Sequence, residues 1–280
     1  MSLLKKSSLA IMAMVTMAVT SCAVEPLTDT ETTAVENPDY AIIRSLGLST
    51  EDIVETDDSY IVEGDIVFEK KSMRDYAGKT RQKYYYLVSP TKVNDIKVYI
   101  YPELQTNIVS SNGTWYQATI DALAAWSSRS FIPNCIINFR TVTSEASADV
   151  FVRRDPTVSA IASADFPFFG DPGRSVRIST NYDSYTLAQK TYIMVHEFGH
   201  VLGFIHMNES GIQIPGTTTS DPQSIMVNTS IGGLSWNSNG YTGNYDGFTP
   251  NDVIAAQATY VVIWSLSMAG PATCVTTHYN

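Results

Sequence analysis

Residues 95–101 alternate strictly, with Ile96, Val98 and Ile100 on one face and Lys97, Tyr99 and Tyr101 on the other. That period of two predicts a strand with one side against a core. Tyr116, Ile120, Leu123 and Trp126 recur at steps of four, three and three, which is one stripe of a helix. Shorter strands are expected at 136–142, 149–152 and 175–180, the last with Val176 and Ile178 alternating. Residues 187–202 read as a longer helix with Leu187, Met194, Phe198 and Val201 on one side. A final helix opens at Thr249-Pro250-Asn251-Asp252, an N-cap followed by Pro at the first helical position and an acid where a capping box needs one. The fold class this predicts is α+β, and no internal repeat is visible.

The N-terminal stretch reads as an address rather than as fold. Lys5 and Lys6 precede an apolar run of eleven residues, Leu9 to Val19, too short to span a bilayer. The run closes on Val19-Thr20-Ser21-Cys22. This resembles the bacterial lipobox, in which small residues precede a cysteine that is lipidated after cleavage. Residues 1–21 are therefore expected to be a lipoprotein signal peptide and 22–39 a flexible tether. The protein is expected to be exported and held by Cys22 at an outer membrane or cell surface, with the lipid its only membrane contact.

Residues 40–83 come next. Ile42, Ile43, Leu46 and Leu48 are followed by seven acids between Glu51 and Asp65, then Ile66-Val67-Phe68, then six basic residues from Lys70 to Lys83. This is a small structured segment or a pro-region with a basic connector. The main domain is expected over 84–280. Cys135 and Cys274 remain once Cys22 carries lipid, and in an oxidising compartment a bridge would tie the C-terminal tail to the domain body.

Composition narrows the function. The chain is 44% hydrophobic and 16% charged, enough apolar material for a core. Its formal net charge is −10, which offers no footprint for a phosphate backbone, so nucleic-acid binding is not expected.

The chemistry concentrates in one segment. Of four histidines, three fall at 196, 200 and 206. His196 and His200 are four apart on the expected helix, so both project from one face and can share an ion. Gly203 is placed to end that helix in a left-handed conformation. The chain then turns and returns His206 to the same point. Three nitrogen ligands leave the fourth position of a zinc ion open, the catalytic arrangement. Glu197, next to a ligand, is the candidate general base.

His196-Glu197-Phe198-Gly199-His200-Val201-Leu202-Gly203-Phe204-Ile205-His206 matches every specified position of the long zinc signature H-E-x-x-H-x-x-G-x-x-H, and so resembles the metzincins. Ser224-Ile225-Met226 looks like their Met-turn. With Ser220-Asp221-Pro222-Gln223 before it, it is similar to the dual-action HEIGH metallopeptidases, with Phe198 where their name motif has Ile. The resemblance covers roughly residues 92–261. It implies a metzincin-like fold: a twisted, mostly parallel sheet, an active-site helix and a smaller, loop-rich C-terminal subdomain.

The same resemblance implies a monomeric zinc endopeptidase acting on extracellular or surface proteins, with a protein or peptide as substrate. Residues 175–180 resemble the strand on which metzincins pair an extended substrate. Asn228 stands where some relatives place a tyrosine, and Tyr241 or Tyr245 would have to replace it. Residues 169–173 and 237–247 hold Asp, Asn and Gly in loops of the kind in which matrixin-like relatives bind Ca2+, without the ligand spacing of a defined calcium loop. Some metzincins are silenced by a Cys or Asp from a propeptide, and Asp57, Asp58 and Asp65 are the candidates here. The alternative function is a non-enzymatic zinc-binding surface lipoprotein, an adhesin or binding module, that keeps the fold.

Overall fold

The computed structural model describes residues 37–77, 88–105, 112–207, 213–227 and 247–260. Eight strands form one mixed sheet: β1 Val54–Glu55, β2 Ser59–Val62, β3 Ile66–Glu69, β4 Ile96–Ile100, β5 Phe139–Thr141, β6 Val150–Arg154, β7 Ala162–Asp165 and β8 Ser175–Ile178, in the order β1-β2-β3-β7-β8-β6-β4-β5. From β8 to β5 every neighbour is parallel. β7 runs antiparallel to β8, and β3 joins the outer side of β7 in parallel. The helices are α1 Pro38–Ser45, α2 Met73–Tyr76, α3 Pro90–Val93, α4 Trp115–Ser127, α5 Leu187–Leu202 and α6 Pro250–Thr259. The class is α+β. Among the described residues no helix is long and apolar enough to cross a membrane.

Two expectations shift. The strand expected at 136–142 contracts to Phe139–Thr141, because Ile136 gives its N–H to the Tyr260 carbonyl rather than to a ladder. The stripe of α4 is rotated. Tyr116 and Ile120 are only half-buried, while Trp115, Ala118, Ala122, Ala125 and Trp126 are buried. Small side chains bring α4 close to α5, and the Trp126 indole donates to the Val195 carbonyl at 2.9 Å.

Helix α5 begins with a capping box between Thr186 and Gln189. Just inside it, Lys190 is wholly buried and donates to the carbonyls of Gly113 and Asp183 at 3.0 and 2.8 Å. Every residue from Lys190 to Leu202 is buried, so the helix is enclosed on all sides rather than facing water along one. It packs against α4, β7 and β8.

Two separate apolar clusters hold the chain. The larger gathers α4, α5, α6 and the strands from β4 to β8. The smaller comprises Ile43, Leu48, Tyr60, Val62, Ile66, Phe68, Met73, Tyr76 and Phe166, edged by Phe168 and Ile205. All of its members up to Tyr76 come from residues 38–76, which therefore build most of their own core.

Candidate metal centre

Helix α5 ends as its glycine predicts. Gly203 sits at φ 95°, and the Phe204 N–H reaches back to the Gly199 carbonyl at 2.9 Å. The same turn fixes a ligand, because the Phe204 carbonyl accepts from His200 Nδ1 at 2.8 Å. His196 Nδ1 donates to the Ile225 carbonyl at 2.7 Å. His206 Nδ1 donates to Glu63 Oε2 at 2.9 Å. With each Nδ1 committed as donor, each Nε2 is left as a lone pair.

Those three lone pairs face one another. The Nε2–Nε2 distances are 3.0, 3.2 and 3.3 Å. Three acceptors at such separations repel unless a cation stands among them. Nitrogens held by one tetrahedral zinc ion lie roughly 3.3–3.4 Å apart, given ligand bonds of about 2.0–2.1 Å. The donor set and its spacing fit that ion, and the carbonyl and carboxylate behind each ring are the partners a metal-bound imidazole uses.

Two carboxylates complete the centre. Glu197 is buried, and its Oε2 has no hydrogen-bond partner. Burial first, and then the charge of Asp65, push its carboxyl well above the ordinary glutamate range, with His206 opposing. Asp65, at the tip of the β2–β3 hairpin, stands 3.5 Å from His196 Nε2, 3.6 Å from His200 Nε2 and 3.2 Å from His206 Nε2. Its Oδ1 is buried without a hydrogen bond. Asp65, His196, His200 and His206 thus form one buried group able to hold a metal.

The floor of the site is built by Ser224-Ile225-Met226. A Cβ at Gly199 would come within 2.3 Å of the Met226 sulfur, so the methionine rests on the bare helix backbone between the histidines. Asp252, the acid of the α6 capping box, also accepts from Ser224 Oγ at 2.6 Å and from the Ile225 N–H at 3.1 Å. One carboxylate therefore caps a helix and pins the turn that positions His196.

Other expected positions fall apart from the centre. Asp57 and Asp58 are exposed on the surface, which leaves Asp65 as the acid brought to the histidines. Cys135 is buried against the Ala256 carbonyl. Cys22, Cys274, Asn228, Tyr241, Tyr245 and nearly all of 237–247 lie outside the described residues. In the 169–173 loop, Asp171 pairs with Lys92 at 3.1 Å.

The substrate strand needs correction. β8 is hydrogen-bonded on both sides, to β6 and β7, and has no edge to offer. The edge belongs to β7. The role of Glu63 was not read from the sequence. It lies 143 positions from His206, and nothing local to either residue signals the pairing.

A family model described as dual-action HEIGH metallo-peptidase matches residues 60–214, more than half of the chain. Two solved structures resemble it. "Crystal structure of myroilysin" is 17% identical, with a TM-score of 0.37, over 60% of this chain and 83% of that one. "Structure of myroilysin" is 17% identical, with a TM-score of 0.38, over 59% of this chain and 92% of that one. No curated protein matches.

Proposed function

Because the chain belongs to the dual-action HEIGH metallopeptidases, we propose that it is a zinc endopeptidase whose ligands are His196, His200 and His206 and whose general base is Glu197. The observation that carries this reading is the convergence of three Nε2 lone pairs beside a buried carboxylate with one oxygen unpaired. When bound, zinc supplies the Lewis acidity that makes water a usable nucleophile near neutral pH and stabilises charge on the scissile carbonyl oxygen. Glu197 Oε2 accepts the proton of that water and returns it to the leaving amine. A carboxyl whose affinity for protons is raised by burial suits both halves of that transfer. The outer edge of β7 offers backbone groups on which an extended peptide can add as a strand.

The test is made in the Asp65→Ala background, which clears the carboxylate that faces the ligands. With one zinc per chain, this protein should cleave an unfolded protein substrate. Adding Glu197→Ala should leave the zinc content unchanged and lower turnover by about 10²–10⁴-fold. Full zinc occupancy with no zinc-dependent cleavage in the Asp65→Ala chain would instead support the non-enzymatic binding module.

We further propose export and anchoring through lipid on Cys22, with surface or extracellular proteins as substrates. The support is the run Val19-Thr20-Ser21-Cys22 behind a short apolar segment. Cys22→Ser should move the protein from the membrane pool to the soluble pool. A Cys22→Ser protein with its signal cleaved that still sediments with membranes would contradict the anchor.

A further inference from the structure

The β2–β3 hairpin reaches the metal centre at two points. Its tip is Glu63-Gly64-Asp65, with Glu63 at φ 53° and Gly64 at φ 96°. Two consecutive left-handed residues turn the chain tightly enough to present both acids to the histidines. Glu63 Oε2 accepts from His206 Nδ1, while its Oε1 accepts the Ser49 N–H at 2.9 Å. Asp65 is 3% exposed and faces all three Nε2 atoms. Three histidines leave zinc one position in a tetrahedral site, and Asp65 is the group aimed at it.

Beyond the tip, β3 takes the remaining edge of the site. Ile66 pairs with Ala164 and Val67 with Asp165. The Ala164 N–H donates to the Asp65 carbonyl at 2.9 Å, and the Phe166 N–H to the Val67 carbonyl at 3.0 Å. With β8 on its other side, β7 has no backbone groups left for a substrate. The segment is nevertheless separable from the domain. Its apolar cluster is distinct from the main core, and Phe166, Phe168 and Ile205 are what the domain contributes to it. Lifting residues 38–76 away would uncover those three side chains and the β7 edge while leaving the larger core closed.

We infer that residues 38–76 are an inhibitory segment of this same chain, with Asp65 as the fourth metal ligand and β3 in the place of substrate on β7, so that the full-length protein is a latent precursor. This rests on the zinc-peptidase reading of the site. Glu63 acts as a positioning residue: it orients His206 while the segment is docked.

The test compares the zinc-loaded full chain with Asp65→Ala, using a peptide hydroxamate that binds zinc as the probe. Calorimetry should show the hydroxamate binding at least tenfold tighter to Asp65→Ala, with zinc content held at one per chain by the three histidines. Cobalt substitution gives a second readout, since losing a carboxylate ligand changes the visible spectrum. If Asp65→Ala does not fold, Asp65→Asn, with the same shape and no charge, serves for both measurements. Equal hydroxamate affinity and an unchanged cobalt spectrum at full metal occupancy would overturn the inference. Tighter hydroxamate binding with no cleavage of any peptide in an unbiased library would uphold Asp65 as the plug and refute the peptidase reading instead.

Discussion

Gly173→Ala should yield almost no folded protein. A Cβ at this position would lie 1.8 Å from the Asp165 carbonyl oxygen and 3.1 Å from the Val201 Cα. Both obstacles are backbone. One ends β7 and the other belongs to the last turn of α5, and the Gly173 N–H ties them together by donating to the Val201 carbonyl at 3.0 Å. Overpacking against movable side chains costs roughly 1–3 kcal/mol. Here neither neighbour can step aside without moving the helix that carries His200 or the strand that carries the substrate edge. The expected loss is several kcal/mol, against a total stability of about 5–15 kcal/mol for a typical domain. Soluble yield and thermal unfolding measure it. A Gly173→Ala protein that melts near the wild-type temperature would mean that strand and helix do not approach this closely.

The second large effect is expected at His206. His206→Ala should keep the helical far-ultraviolet signal, because α5 ends at Leu202 and its caps do not involve the lost ring. Zinc retention should collapse. Removing a hydrogen-bond partner behind a ligand lowers metal affinity by roughly 10–100-fold, and removing the ligand itself should exceed that. Glu63→Gln, which weakens only the hydrogen bond behind His206, supplies the graded comparison and should fall inside that range. Metal content after dialysis against a mild chelator is the measurement. A His206→Ala chain that keeps its zinc like wild type would remove His206 from the ligand set.

What the sequence disclosed, and what it hid, divides by distance along the chain. His196, His200, Gly203 and His206 lie within a single helix and the turn that ends it, so spacing alone states their geometry. The bounds of α5 and the capping box of α6 were legible for the same reason. Strand β7 was not. Ala162-Ser163-Ala164-Asp165 has no branched or aromatic side chain, and it is a strand because β3 and β8 hold it from both sides. The rotated stripe of α4 is a related case. Alanines that look neutral in a hydrophobicity pattern become the contact surface once α5 packs against them. Asp65 could be named only as one acid of three, because its place depends on a hairpin folding against a helix more than a hundred residues later. The sequence also divides the chain at residue 84, whereas the sheet runs across that point through the β3–β7 pairing.

The β2–β3 hairpin belongs to the chain whose site it fills, and that has a consequence in mass action. A covalently attached ligand sees its site at a local concentration of about millimolar for short connections, whatever the amount of protein in solution. Dilution, competing substrate or low expression therefore does little to free the site. Breaking the covalent link alters the arithmetic without altering a single contact. At roughly micromolar protein, the severed segment's concentration falls by about three powers of ten, and once it diffuses away nothing returns it. A modest interface can thus be close to complete as a tethered inhibitor and weak as a free one.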